Sequence, residues 1–282
     1  MKKVLTIILN WNGLEFTRDC CESLTTQTHS ALDVLVVDNG STENTVDALR
    51  EACPKARVIG SGTNLGFARG VNLGLRSVGE LERYDYVWLL NNDVLCDPDA
   101  LERLLTKAES DLQLGAVGCA MREGAEDTGG VRTVQAGKRI RAPFYVPMEV
   151  ESPEAIDYLC GASLLIAKRA LDDVGLLDDA FFFFFEDADW SFRAKTKGWK
   201  LGVAEGVPLR HTGGGTISKN SYNRARYYRA GHVRFLRRHA RHPLLSSIGI
   251  ALYRLLCDLG QLNLSAMRGT VAGFMSGWKP GL

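Results

Sequence analysis

The feature that most constrains this chain is a repeated alternation. Short apolar runs give way to polar turn residues and then to helical patterns, several times between Lys3 and Ala108. Lys3–Leu9, Asp33–Val37, Arg57–Ile59 and Tyr86–Leu90 read as strands. Between them, Leu14–Thr25, Thr45–Cys53 and Phe67–Val78 read as helices. Leu14, Cys21 and Leu24 share one face, and Val46, Leu49 and Cys53 another. Asp97-Pro98 predicts a further helix start, with Asp97 as N-cap and Leu101, Leu104, Leu105 and Ala108 on the buried face. Strands separated by helices predict an α/β fold with a mostly parallel sheet covered on both faces. With 282 residues, 45% of them hydrophobic, the chain can build one large domain or a domain with an appendage.

In such sheets ligands bind beyond the carboxyl ends of the strands. The first strand is followed by Asn10-Trp11-Asn12-Gly13 and the second by Asp38-Asn39-Gly40-Ser41-Thr42. The third is followed by Gly60 to Gly66 and the fourth by Asn91-Asn92-Asp93. Turn chemistry explains any one of these. Their recurrence at one edge, with carboxylates at two of the four, favours a nucleotide crevice. Further on, Glu123 to Pro153 reads as a long polar loop with a few strands. Tyr158–Ala167 is apolar, Lys168–Val174 a short helix and Leu201–Ala204 a late strand. Phe181 to Phe185 cannot all face one way, so most enter the core and one or two wall a pocket.

Asp93 ends a strand beside two asparagines, where one carboxylate could hold a divalent cation against a diphosphate. Asp97 is better placed as the helix cap, which frees Asp93. Glu186-Asp187-Ala188-Asp189 adjoins the phenylalanine run. A carboxylate at an apolar boundary has its pKa raised, which suits a general base. The plain reading is a helix start rich in acids, with Asp189 and Arg193 as an ordinary surface pair. Asp187 is the favoured base, ahead of Glu186. His211 precedes the run Thr212 to Thr216, which holds three glycines, and reads equally as a metal ligand or a structural histidine.

Taken in order, Ile8-Leu9-Asn10-Trp11-Asn12, Val37-Asp38-Asn39-Gly40-Ser41, Asn64-Leu65-Gly66-Phe67-Ala68, Leu90-Asn91-Asn92-Asp93, Phe185-Glu186-Asp187-Ala188-Asp189 and His211 resemble glycosyltransferase family 2, its rhamnosyltransferase-like branch in particular. The resemblance runs from Lys3 to about Thr216. It implies a GT-A fold, Rossmann-like and α/β, over residues 1–217, with 218–282 as a C-terminal helical appendage. It implies that Asn10 and Asp38 hold the base and ribose of a nucleotide-sugar donor. Asn64, Arg69 and Asn92 would lie near the base or diphosphate. Asp93 would ligate Mn²⁺ or Mg²⁺, with His211 as second ligand, and Asp187, next to Glu186, would deprotonate the acceptor hydroxyl. The implied reaction is one inverting displacement, with dTDP-rhamnose the favoured donor and UDP-sugars the alternative. The acceptor would be a saccharide or a polyprenyl-linked one, in cell-surface polysaccharide synthesis. Two departures stand out. The metal motif has one carboxylate where the family commonly has two, so metal affinity is expected to be modest. Arg69 occupies a position where the branch often has a small residue.

Composition narrows the rest. A formal charge of +1 argues against a general nucleic-acid partner. The first strand is not followed by the glycine fingerprint of a dinucleotide enzyme, nor by the basic glycine-rich loop of a sugar nucleotidyltransferase. The alternatives are a non-catalytic nucleotide-sugar or carbohydrate-binding module and, less favoured for want of that loop, the sugar nucleotidyltransferase. Cys20, Cys21, Cys53, Cys96, Cys119, Cys160 and Cys257 form no C-x-x-C pair and mostly sit in apolar runs, so buried reduced thiols are expected, in a reducing, cytoplasmic setting. The start Met1-Lys2-Lys3 and its short apolar run read as a strand and not a signal peptide. Tyr222 to His242 holds seven Arg and no acid, and Leu244 to Leu264 is apolar but interrupted by Arg254 and Asp258. This tail reads as amphipathic helices, either packed on the domain or attached to an anionic membrane surface on the inner face of the plasma membrane. A homo-oligomer is one state open to such a chain.

Overall fold

The computed structural model describes residues 1–42, 46–123, 132–150, 155–211 and 221–279. Strand β1 (Val4–Asn10) leads through helix α1 (Leu14–Thr25) to β2 (Leu32–Asp38), then through α2 (Val46–Ala52) to β3 (Arg57–Gly60). Helix α3 (Phe67–Ser77) and a short 3₁₀ turn (Leu81–Arg83) return the chain to β4 (Tyr86–Asn91). Next come β5 (Val94–Leu95), α4 (Ala100–Glu109), β6 (Leu114–Glu123), β7 (Arg132–Val134), β8 (Gly137–Arg141) and β9 (Val146–Glu149). Then follow β10 (Tyr158–Leu159), β11 (Ser163–Ala167), α5 (Lys168–Val174), α6 (Glu186–Thr196) and β12 (Lys200–His211). Helices α7 (Ser221–His239), α8 (Pro243–Gly260) and α9 (Leu264–Trp278) close the chain.

The main sheet runs β3-β2-β1-β4-β11-β6-β12-β5, with β7 on β6. Neighbours among β3, β2, β1 and β4 are parallel, as are β6 and β12. Strand β11 is inserted antiparallel between β4 and β6. A small antiparallel sheet, β10-β8-β9, lies apart. Strands β1 and β4 are almost wholly buried, since helices cover both faces. Trp88, Tyr86, Trp190 and Phe181 are the bulkiest core side chains.

Several expectations shift by a few residues. Asp99, not Asp97, stands at the N-cap of α4, and its side chain makes no capping bond. Asp97 closes the preceding turn through its carbonyl, which accepts from the Ala100 amide at 3.0 Å. The predicted face of α4 (Leu101, Leu104, Leu105, Ala108) is buried. Within Glu123 to Pro153 the chain forms β7, β8 and β9, while Gly129-Gly130 lie outside the described residues. All seven thiols are free, and five of them are buried.

Helices α7, α8 and α9 form an appendage held together mainly by α7 against α9. Glycines make that contact possible: a Cβ at Gly273 would lie 2.3 Å from the Arg226 carbonyl, and one at Gly269 2.4 Å from that of Tyr222. Arg254 and Asp258, which interrupt the apolar tail, pair at 3.1 Å. By length and composition α8 is nonetheless apolar enough to cross a membrane. Leu245, Leu252, Leu256 and Leu259 on it are exposed.

Candidate active site

A crevice opens where the first four parallel strands end together. Asn10 is in register with Asp38 and Asp38 with Gly60, while Leu9 is in register with Asn91. Asn10 and Asp38 are buried. The Asn10 amide donates to Asp38 Oδ1 and to Ser41 Oγ, both at 3.1 Å, and its own oxygen accepts from Thr17 Oγ1 at 2.9 Å. The Ser41 hydroxyl donates to Asp38 Oδ1 at 2.5 Å. The carboxylate is therefore fixed in orientation yet keeps acceptor capacity, since an ionised carboxylate has about four lone-pair sites.

A second layer stands behind it. Asn39 Nδ2 donates to Asn64 Oδ1 and to the Gly66 carbonyl, both at 3.2 Å, and the Leu65 amide donates to Asn39 Oδ1 at 3.0 Å. Asn64 Oδ1 also accepts from the Gly66 amide at 2.9 Å, so this oxygen serves its own loop. Gly66 has φ 81°, and a Cβ there would meet the Phe182 carbonyl at 2.3 Å. Only glycine fits that approach. Phe182 and Phe183 wall a cavity of about 140 Å³ together with Trp11, Phe16, Asn64 and Asp93. Phe181 and Phe185 are buried, so the aromatic run divides between core and pocket.

Two residues singled out by sequence are anchored to the scaffold, and Asn92 also lines the cavity. Arg69 Nε donates to the Asp179 carbonyl at 3.0 Å, tying α3 to the segment before the phenylalanines. Asn92 Nδ2 donates to Thr17 Oγ1 at 3.0 Å and to the Gly13 carbonyl at 3.4 Å, joining the end of β4 to α1.

Asp93 lies between β4 and β5. Pairing of β5 with β12 sets His211 opposite Val94, and pairing of β12 with β6 sets it opposite Glu123. His211 Nε2 lies 3.1 Å from Asp93 Oδ1, and Nδ1 lies 3.1 Å from Glu123 Oε1. The hydrogen bond to Asp93 raises the imidazole pKa; burial opposes it and Glu123 adds to it. The Thr212 to Thr216 glycine run lies outside the described residues. A carboxylate behind a metal-binding imidazole fixes its orientation and raises its basicity, and Glu123 occupies that place. Two neighbouring ligands of an octahedral cation, each roughly 2.1 Å from it, sit roughly 3 Å apart, which the Asp93–His211 separation matches. Among the described residues no cluster of three or more ligating side chains is present. The donor set therefore fits a cation that takes its remaining ligands from substrate phosphates and water.

Asp187 belongs to the same edge. The Asn91 amide donates to the Ala162 carbonyl at 2.9 Å, and the neighbouring Gly161 amide donates to Asp187 Oδ2 at 2.8 Å. Asp187 Oδ1 accepts from the Ala188 amide at 2.7 Å. Burial raises its pKa, and these amides pull against that rise. Glu186 beside it is buried, with Oε2 lacking a hydrogen-bond partner among the described residues. Burial and the adjacent Asp187 push its pKa well above the usual carboxylate range. Glu186 is therefore an interior carboxyl whose burial disfavours the charged form, while Asp187 is partly exposed.

Asp189 differs most from its expectation. Its contact with Arg193 exists at 2.8 Å, but the carboxylate is fully buried and also accepts from His239 at 2.9 Å and Arg238 at 3.2 Å. It joins α6 to α7. Sequence reasoning also missed Glu123, Thr17 and Ser41. Ser41 had a usable signal, as a hydroxyl in the turn that follows Asp38, whereas Thr17 lies within α1, seven positions after Asn10.

The comparisons agree with this architecture. The family model described as Glycosyl transferase family 2 matches residues 6–175. An N-acetylglucosaminyl-diphospho-decaprenol L-rhamnosyltransferase of Mycobacterium tuberculosis is 27% identical over 77% of this chain and 79% of its own length. A low-salt glycan biosynthesis hexosyltransferase, Agl10, of Haloferax volcanii is 24% identical over 73% of this chain and 66% of its own. Among solved structures, the mannosyltransferase PcManGT of Pyrobaculum calidifontis, in complex with GDP-Man and Mn²⁺, superposes with TM-score 0.60 at 18% identity, covering 99% of this chain and 77% of that one. This likeness gives the GT-A fold. With the family model spanning the crevice strands β1 to β4 and the turn that carries Asp93, the chain belongs to glycosyltransferase family 2, in which it resembles the rhamnosyltransferases.

Proposed function

We propose that this transferase is an inverting, metal-dependent enzyme that moves rhamnose from dTDP-rhamnose to a hydroxyl of a polyprenyl-diphosphate-linked saccharide. The observation that carries the reading is the arrangement at one sheet edge: the Asp93–His211 pair on β4, β5 and β12, and Asp187 hung from Gly161 beside β4. In this reading Asn10 orients Asp38, and Asp38 receives the nucleoside. Trp11, Phe182 and Phe183 exclude water around the donor. Asp93 and His211 would hold a divalent cation, with Glu123 fixing the imidazole. The cation, when bound, stabilises charge on the departing diphosphate. Asp187 takes the acceptor proton, for which a raised carboxylate pKa is suited. The amides of Gly161 and Ala188 aim its oxygens. A single displacement from the opposite face inverts the anomeric centre.

The M. tuberculosis relative supports this donor and acceptor class by its name. Residues 218–282 then form the acceptor side. Leu245, Leu252 and Leu256 on α8 are 57–70% exposed, beside the basic α7, which supports attachment to an anionic membrane surface.

The test is acceptor-dependent release of nucleoside diphosphate. Purified protein is given dTDP-rhamnose, UDP- and GDP-sugars, Mn²⁺ or Mg²⁺, and a short-chain prenyl-diphospho-N-acetylglucosamine. Release of dTDP, with a product of opposite anomeric configuration, is expected, and loss in Asp93→Asn. Metal-dependent nucleotide binding without any release would leave a non-catalytic binding module.

A further inference from the structure

A second cavity, of about 530 Å³, lies among α7, α8 and α9. That volume is within the range of small-molecule sites, roughly 300–1,000 Å³. Three guanidiniums line it, those of Arg224, Arg229 and Arg254, with Tyr228, Tyr253 and one carboxylate, Asp258. Arg254 pairs with Asp258 at 3.1 Å. Neither Arg224 nor Arg229 forms an ion pair with a described carboxylate.

Arg229 is the informative residue. It is only 3% exposed. Its Nη1 donates to His232 Nδ1 at 3.1 Å, while its Nε has no hydrogen-bond partner among the described residues. Leaving a buried charged donor unmatched is costly. Arg229 lines the cavity, where an anion would give this buried charge a counterpart. The Asp258 Oδ2 atom is likewise buried and unmatched, so the wall also offers an acceptor to a hydroxyl beside the anion. Tyr228 joins this cavity to the base. It packs edge-on against Phe184 and Phe185, which precede Asp187 in sequence, and Asp187 lies close enough to act electrostatically on its hydroxyl.

We propose that this cavity binds the diphosphate group of a lipid-linked acceptor, with Arg224, Arg229 and Arg254 as donors and Asp258 accepting from an adjacent sugar hydroxyl. The inference rests on the lipid-linked acceptor reading above and adds where the acceptor anion sits. Planar guanidiniums suit phosphate oxygens through paired N–H donors. The apolar ridge of α8 would leave the prenyl chain at the membrane while its head group enters between the helices.

The test measures binding in EDTA, so that metal-dependent binding at the donor crevice is silent. Calorimetry compares farnesyl diphosphate, inorganic pyrophosphate and farnesol on the wild type and on Arg224→Ala/Arg254→Ala. Both positions are exposed, but Arg254→Ala removes the partner of buried Asp258, so circular dichroism and melting check the fold and Arg224→Ala alone, which breaks no ion pair with a described carboxylate, is measured beside it. Farnesyl diphosphate should bind, farnesol should not, and the double variant should bind about tenfold more weakly or worse. Binding of dTDP with Mn²⁺ should be unchanged. That arm separates failure of this site from failure of the donor reading. Pyrophosphate binding as tightly as farnesyl diphosphate supports the anion site with free diphosphate as its source. Phosphatidylglycerol vesicles that bind the wild type and release the double variant, with no binding of pyrophosphate or farnesyl diphosphate, overturn it in favour of a general membrane contact. Equal binding of farnesyl diphosphate by wild type and double variant, or no binding in EDTA, overturns the proposal.

Discussion

His232 of α7 stacks on Phe185, the residue before Glu186 and Asp187, with ring centroids 4.7 Å apart and planes 3° from parallel. Phe185 is held at φ 72°, a left-handed conformation that a bulky residue keeps only when its surroundings impose it. A Cβ at Gly231 would meet the Phe184 carbonyl at 2.3 Å, so α7 also approaches this backbone directly. The C-terminal appendage is thus part of what shapes the start of α6, where the candidate base sits.

The same histidine makes stability pH-dependent. Its Nε2 faces the Tyr145 carbonyl at 3.0 Å and Nδ1 faces the Arg229 guanidinium, so the neutral Nε2–H form is the one that satisfies both. Burial, then the Arg229 charge, lowers its pKa to about 3. The unfolded chain takes up a proton near pH 6.5 that the folded chain refuses. Stability therefore falls as pH drops below about 6.5, by up to about 1.4 kcal/mol per pH unit, until about pH 3. His232→Leu should lose stability at neutral pH by about 1–3 kcal/mol, because Arg229 loses its acceptor, and should flatten this slope. Urea unfolding of both proteins from pH 5 to 8 decides it; parallel curves would show that His232 is not the titrating group.

Gly66→Ala is expected to destabilise more than Gly62→Ala, although both glycines have positive φ, 81° and 76°. At Gly66 the pairing of φ 81° with ψ 177° is itself a conformation that essentially only glycine adopts, so alanine there is strained by the backbone as well. At Gly62 a Cβ meets nothing within 4 Å, whereas at Gly66 it meets the Phe182 carbonyl, which accepts from the Phe67 amide at 2.6 Å. The extra loss at Gly66 should appear in chemical denaturation and as weaker nucleotide binding. Equal losses at the two sites would mean that the Phe182 approach is unimportant.

Much of this was legible in the sequence because the first four strands announce themselves twice, by apolar runs and by the polar residues that end them. Asn10, Asp38 and Asn91 converge because parallel neighbours carry their ends to one edge. The insertion of β11 was not legible, since a strand buried on both faces reads alike in either direction. The long β12 was hidden as well. Glu205-Gly206 interrupts its apolar pattern, and its register with β6 shifts between Ala204 and Leu209, so the link from Leu201 to His211 is invisible locally. Glu123 could not be found without that pairing. Asp189 looked exposed because its cationic partners Arg238 and His239 lie about fifty positions away on α7.

Asp189→Asn should therefore behave as a core change and not as a surface one. Burial pushes the Asp189 pKa up, but His239, Arg193 and Arg238 outweigh it and hold it below the ordinary carboxylate range. A depressed carboxylate contributes stability that is present above its unfolded pKa and lost as pH falls through the folded one. Removing the charge takes a fully buried acceptor from half-buried Arg193 and His239 and from Arg238, which keeps Asp178, and lost hydrogen bonds to a charged group cost about 1.5–3 kcal/mol. The variant should melt well below the wild type at pH 7, and the gap should narrow in strong acid. A change within about 0.5 kcal/mol, the range of ordinary surface substitutions, would deny the link between α6 and α7.

Asp187→Asn should reduce kcat by about 10²–10⁴-fold while leaving donor affinity close to wild type. The substitution keeps the side chain's size and its Oδ acceptor for one amide, so the fold should survive. In the wild type, burial raises the Asp187 pKa. A base works only when deprotonated, so activity should fall as pH drops through that raised value, and the acid limb of kcat/KM should lie above the ordinary carboxylate range. The residual activity of Asp187→Asn should lack that limb. Glu186→Gln supplies the contrast: Glu186 is interior and burial disfavours its charged form, so an amide of the same size should change kcat far less. Should Glu186→Gln abolish turnover while Asp187→Asn spares it, the base is the neighbouring residue and the assignment argued from Gly161 is wrong.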